Sequence, residues 1–188
     1  MIIEREPINN FIHCLTLCCK SRYEAIIRPG QKLFIENFHI VPTARDDGIL
    51  INLPQPTLYF FRGGKLLLNY PVGLGRPSWP TPESDFTVLT KVENKCWVVP
   101  KSIQEEMQLE GAIVKTKVPL GPENPLGKHW LGLSISGLGI HGTTAPASIY
   151  QFQSHGCVRL HPEDIAALYE QVRRGETGSI VYMPTLLA

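Results

Sequence analysis

A thiol and two imidazoles crowd one polar segment, HGTTAPASIYQFQSHGCVRL, which runs from His141 to Leu160. Cys157 becomes a nucleophile if a nearby base takes its proton or a positive field stabilises its thiolate. Two candidate bases are at hand, and both imidazoles titrate near neutrality. His155 stands two positions before the cysteine and shares its face if the segment is extended. His141 stands sixteen positions before it and would be returned to it by the intervening loop. The residues alone leave that choice open. Gly156 permits a tight turn in which consecutive N–H groups converge on one point, as a developing oxyanion requires. Arg159, two positions after the cysteine, would share its face and suit a carboxylate. Each residue also has a plainer reading: a small buried hydrophobe, a hydrogen-bonded structural histidine, an ion-paired surface arginine. A metal set of His141, His155, Cys157 and His161 matches no common zinc spacing, so no metal is expected.

The elements around this segment are mostly strands. GILINL (48–53) alternates, TLYFF is aromatic-rich, RGG reads as a hairpin turn, and KLLLNYPVG, DFTVLTKVE and CWVVP continue the pattern. PLGPENPLG (119–127) is a loop by composition. HWLGLSISGLGIHG reads as one or two strands, broken at Gly137 and Gly139, that deliver His141 at their end. After Cys157 comes one clear helix, HPEDIAALYEQVRRG. Ile165, Leu168, Tyr169 and Val172 form its apolar stripe, with Glu163 and Asp164 at its start and Arg173 and Arg174 at its end. The expectation is a mainly β fold, a sandwich or barrel, with one α-helix following the cysteine.

The 188 residues suffice for one core, or one core and a small appendage. A net charge of +1 makes no electrostatic case for nucleic acid as partner. Apolar residues never run long enough for a transmembrane helix. The five cysteines are odd in number, so at least one thiol stays unpaired within a monomer. Cys14, Cys18 and Cys19 cluster near the start, and the adjacent pair would bridge only with strain. The first twenty residues half-resemble a signal peptide, but Glu4 and Glu6 flank Arg5 and no small-residue cleavage site follows. Residues 1–45 are therefore expected to form a short separate element, a leader or a remnant of another module.

The motifs, taken in order, resemble the L,D-transpeptidases with a YkuD-type catalytic domain. HGT and SHGCVRL resemble the family's signature; VGLGRPSWPTPESDF resembles its Thr-Pro element, with Thr81, Pro82 and Phe86 in register. VPLGPENPLGKHWLGLSISGLGIHGT resembles the family's approach to the active site, and RPGQKLFI resembles the tail of a LysM glycan-binding module. The resemblance spans roughly residues 46–184 and places the catalytic domain at 46–188. It implies a YkuD-type β-sandwich and a cysteine enzyme without cofactor.

By the match, Cys157 attacks the amide before the terminal D-alanine of a peptidoglycan stem tetrapeptide. His141 is the base, its ring oriented by the carbonyl of Gly142. His155, Gly156 and Cys157 offer N–H groups to the oxyanion, and Arg159, Ser154 and Thr143 contact substrate. The acceptor would be an amine of a second stem, giving a cross-link, or a lysine of an outer-membrane lipoprotein. The place would be the periplasm or cell envelope. The same cysteine would also serve an L,D-carboxypeptidase or a wall-lipoprotein amidase. A non-catalytic wall-binding relic is the remaining alternative, against which the intact His141, Cys157 and Arg159 speak. A base acting on a thiol also implies activity that falls on the acid side as the Cys/His pair protonates. Ser84 and Tyr150 depart from the family pattern, which has glycine at both places.

Overall fold

The computed structural model describes residues 47–184 and the backbone of two short strands, β1 (Ile3–Glu4) and β2 (His39–Ile40). The chain divides into two compact units, Met1–Thr43 and Ala44–Ala188. In the first, β1 and β2 pair antiparallel, Ile3 opposite Ile40. The leader or LysM reading of this region, and Cys14, Cys18 and Cys19, otherwise lie outside the described residues.

The second unit is built on hydrophobic strands. β3 (Gly48–Asn52), β4 (Thr57–Arg62) and β5 (Lys65–Pro71) form an antiparallel meander. Gly63 and Gly64 turn the hairpin between β4 and β5, both at positive φ, where a Cβ would be strained. The alternation read in GILINL does not mark a half-exposed strand. Every residue of β3 is buried, as is all of β4 except the half-buried Arg62, because both faces of these strands are covered. β6 (Leu74–Gly75) follows, then the long β7 (Ser84–Glu93).

β7 pairs through Ser84–Thr87 with β14 (Thr177–Val181) and through Val88–Glu93 with β10 (His129–Leu133). β11 (Gly139–His141) pairs antiparallel with β10, and β13 (Val158–Arg159) runs parallel beside β11. The eight strands form one sheet in the order β13-β11-β10-β7-β14-β3-β4-β5. Side chains from near both ends of that order share one core: Ile49, Ile51, Leu58 and Phe60 with Leu131, Ile140 and Val158. The sheet is thus folded over on itself as a β-sandwich. Burying one such side chain is worth about 1.5–3 kcal/mol.

Helix α1 (Lys101–Leu109) and helix α2 (Pro162–Gln171) complete the fold. α2 packs Ile165 and Leu168 into the core, and Pro162 begins it where no N–H partner is needed. It ends at Gln171, so Arg173 and Arg174 lie beyond it rather than in its last turn. Lys91 serves instead: its Nζ donates to the carbonyls of Tyr169 (2.5 Å) and Val172 (2.6 Å). α1 is an addition to the single helix expected. It lies between β8 (Trp97–Val98) and β9 (Lys117–Val118), strands that pair with each other and share a small core of Val99, Ile103 and Val118. Ile103 is its only buried residue, with Met107 packed beside it one turn on, and the helix has nine residues, no capping side chain and no acidic residue in its first turn, so the usual start signals are missing. No helix among the described residues is long and apolar enough to cross a membrane.

Candidate active site

Strand register assembles the site. Trp130 lies opposite His141 across the β10–β11 hairpin, and His141 lies beside Arg159 across the parallel β11–β13 pair. Cys157 immediately precedes β13. Alternation therefore puts Cys157, Arg159 and His141 on one side of these strands, and all three line one cavity of about 240 Å³. Trp97, Pro100 and Ile103, from β8 and the start of α1, line it as well.

Two glycines allow this packing. A Cβ on Gly139 would fall 2.4 Å from the Trp130 ring, so only glycine lets the indole cross the strand. The indole stacks on His141 with centroids 5.6 Å apart and planes 21° apart. Gly156 sits at φ +98, and a Cβ there would meet the Leu138 side chain at 2.9 Å.

The two histidines face different partners. His141 is buried, with Nδ1 2.5 Å from the Gly142 carbonyl oxygen. A carbonyl only accepts, so Nδ1 carries the hydrogen and Nε2 is left as the ring's acceptor. Burial pulls the imidazole down to about 4; the Gly142 carbonyl opposes this, and Arg159 and Lys95 reinforce it. Burial pushes the half-buried Cys157 thiol up, while the Gly139 backbone, Lys95 and Arg159 pull it back. Both groups therefore rest neutral, the thiol directed at the Gly137 carbonyl oxygen 3.7 Å away, and the imidazole gains its proton only near pH 4, below the usual histidine range. His155 lines the same cavity, but its imidazole is engaged by other side chains. Its Nε2 lies 2.5 Å from Glu106 Oε2 and 3.0 Å from Arg76 Nη2, and its ring lies 5.6 Å from that of Trp79. His161 stands at the N-cap position of α2 without a side-chain capping bond, and it does not line the cavity that the other three residues of the hypothetical metal set share.

The turn before the cysteine is held by its carbonyls. Ser154 Oγ donates to the Cys157 carbonyl (2.6 Å), and Thr81 Oγ1 donates to that of Gly156 (2.8 Å) while accepting the Gly75 N–H (2.9 Å). The N–H groups of residues 155–157 lie between β12 (Phe152–Ser154) and β13, outside the ladders. Ser154 and Thr143 line the cavity, but both hydroxyls already engage backbone: Thr143 Oγ1 accepts the Ala145 N–H at 3.0 Å. Arg159 exchanges two 2.8 Å backbone bonds with Gly73. Its Nε and Nη2 are buried with no partner among the described residues.

Residues 46–183 match the YkuD family model, described as the L,D-transpeptidase catalytic domain. The chain belongs to the YkuD family. It is 33% identical over 162 residues to the Escherichia coli protein named Probable L,D-transpeptidase YcfS, covering 84% of this chain and 51% of that one. It is 36% identical over 152 residues to Probable L,D-transpeptidase YbiS of the same organism, covering 78% and 48%. The chain thus spans about half the length of these relatives. An L,D-transpeptidase structure from Mycobacterium smegmatis shares the fold, with a TM-score of 0.58 at 23% identity over 71% of this chain and 57% of that one.

Both departures from the YkuD pattern have a structural account. Ser84 lies at the start of β7 with no positive φ, so a side chain fits there. Tyr150 has φ +64, the conformation that glycine adopts without strain. Three features of this YkuD domain escaped sequence reasoning. Lys95 Nζ sits 3.8 Å from the Trp130 ring centroid and adds positive charge near Cys157; Glu106 and Arg76 hold His155. Lys95 and Arg76 belong to no motif, and Glu106 sits on a short helix with no capping side chain or acidic first turn to mark it.

Proposed function

We propose that this domain is a cysteine acyltransferase acting on peptidoglycan stem peptides in the cell envelope. The observation that carries the reading is Arg159: a half-buried arginine lines the cavity that holds Cys157 and His141, and its buried Nε and Nη2 have no partner among the described residues. Buried cationic donors left without a partner are costly, and a substrate carboxylate would satisfy them.

The Cys157 thiol attacks the carbonyl joining the third stem residue to terminal D-alanine, and its proton passes to Nε2 of His141 as the C–S bond forms. The N–H groups of 155–157 receive the oxyanion. Collapse breaks the C–N bond, the imidazolium returns the proton to the departing amine, and a thioester remains. An amine of a second stem, or a lysine of an outer-membrane lipoprotein, then attacks the thioester and restores the thiol. The amine's proton passes through His141 to the leaving sulfur as the thioester C–S bond breaks.

Mass spectrometry of the protein with a disaccharide-tetrapeptide, beside Cys157→Ser, tests this. Loss of D-alanine with a dimeric product, absent in the variant, is expected. Conversion to tripeptide alone would assign an L,D-carboxypeptidase, with water as acceptor. Identical inertness of both proteins, with no thioester on Cys157, would overturn the reading.

A further inference from the structure

The wall that α1 contributes to the cleft is joined to the cysteine loop by an ionic bridge outside the His141–Cys157–Arg159 group. We propose that Glu106 is a positioning residue for acyl transfer, holding the 155–157 loop in its oxyanion-binding shape through His155 and Arg76. The proposal rests on the reading above, in which that loop receives the oxyanion.

The observation is a convergence of three chain segments. Glu106 takes His155 on one carboxylate oxygen, at 2.5 Å, and Arg76 Nη2 on the other. The three side chains are each only 27% exposed. The Arg76 backbone N–H also donates to the Ser154 carbonyl at 2.9 Å, so the guanidinium and the loop are fastened at two points. Thr81 and Ser154 restrain the carbonyls of Gly156 and Cys157, but neither restrains residue 155. The His155 side chain supplies that restraint, and Glu106 anchors it. Gly156, at φ +98, is the loop's most permissive joint, so a restraint on its neighbour limits how far the N–H groups can rotate. An ion pair that served only to attach α1 would need Arg76 and Glu106. The third member, two residues from the thiol, is what ties the wall to the reacting backbone.

The test compares two reactions at the same sulfur. Acylation by imipenem opens a lactam carbonyl and passes through an oxyanion; alkylation by iodoacetamide displaces iodide and forms none. In Glu106→Gln, acylation of Cys157 should slow roughly tenfold or more, while alkylation stays within about twofold of wild type. Glu105→Gln, on the exposed neighbouring position of α1, should change neither. Equal slowing of both reactions would reduce Glu106 to a folding contact, and no change in either would remove it; each result overturns the proposal. If wild type is alkylated but never acylated, the acyl-transfer reading fails instead. The bridge is then judged by the ¹⁵N shifts of the His155 ring. They must move in Glu106→Gln and hold in Glu105→Gln, and shifts that hold in both overturn it.

Discussion

The cleft has two sides held by different forces. The β10–β11–β13 side is set by backbone register, by glycines that admit Trp130 and by a core in which Ile140 and Val158 are fully or almost fully buried. The β8–α1–β9 side rests on three buried apolar residues and one ionic bridge. Close packing tolerates few alternatives, whereas a small cluster with exposed surroundings opens at lower cost. Chemistry that needs sub-ångström placement therefore sits on the first side. The second is suited to shaping access.

The histidines give the largest contrast. His141→Gln should lower kcat/KM by about 10²–10⁴-fold, the range for loss of a general base. His155→Gln keeps its backbone N–H and loses the ring's contacts with Glu106, Arg76 and Trp79, so about a tenfold loss is expected. Steady-state kinetics on both variants would break the comparison if the order reversed.

The two cores should differ in stability. Ile140→Ala should cost about 3–4 kcal/mol, near the middle of the range for buried isoleucine. Ile103→Ala should cost about 2 kcal/mol or less, because its cluster is small, and should raise KM because it lines the cleft. Denaturant unfolding of both, with kinetics on the second, checks this; equal costs would mean that the wall is as firmly built as the strands.

A pH series sharpens the first side further. The neutral form of His141 is favoured on folding, so the unfolded chain binds the extra proton between pH 6.5 and about 4. Stability from this group is present above pH 6.5 and is lost as pH falls towards 4, by roughly 3 kcal/mol. The rate should stay level from about pH 5.5 to 8 and fall with a midpoint near 4. A midpoint near 6.5 would mean that the ring is hydrated in solution.

Legibility in the sequence followed the same division. The strands, the RGG turn and α2 were readable because hydrophobic runs and glycines act locally. Cys157, His141, Gly156 and Arg159 stood out because reactive types were concentrated in a polar segment. Tyr150 stood out as a residue where the family has glycine, and its positive φ is the reason. α1 was not readable, since a nine-residue helix without a capping side chain or an acidic first turn leaves no start signal, and Arg173 and Arg174 fall beyond α2, which ends at Gln171.

What the sequence determined by itself was the family, the mainly β architecture and the set of reactive side chains, because these depend on residue type and short-range order. Only the tertiary structure decided which histidine is engaged elsewhere: His155 meets Glu106 and Arg76, while His141 is buried with Nδ1 on the Gly142 carbonyl. It also decided which cations carry partners. Arg76 finds Glu106 thirty residues away, while the side chain of Arg159 finds buried space beside Cys157. Pairings of that kind arise from long-range packing, and no local pattern records them.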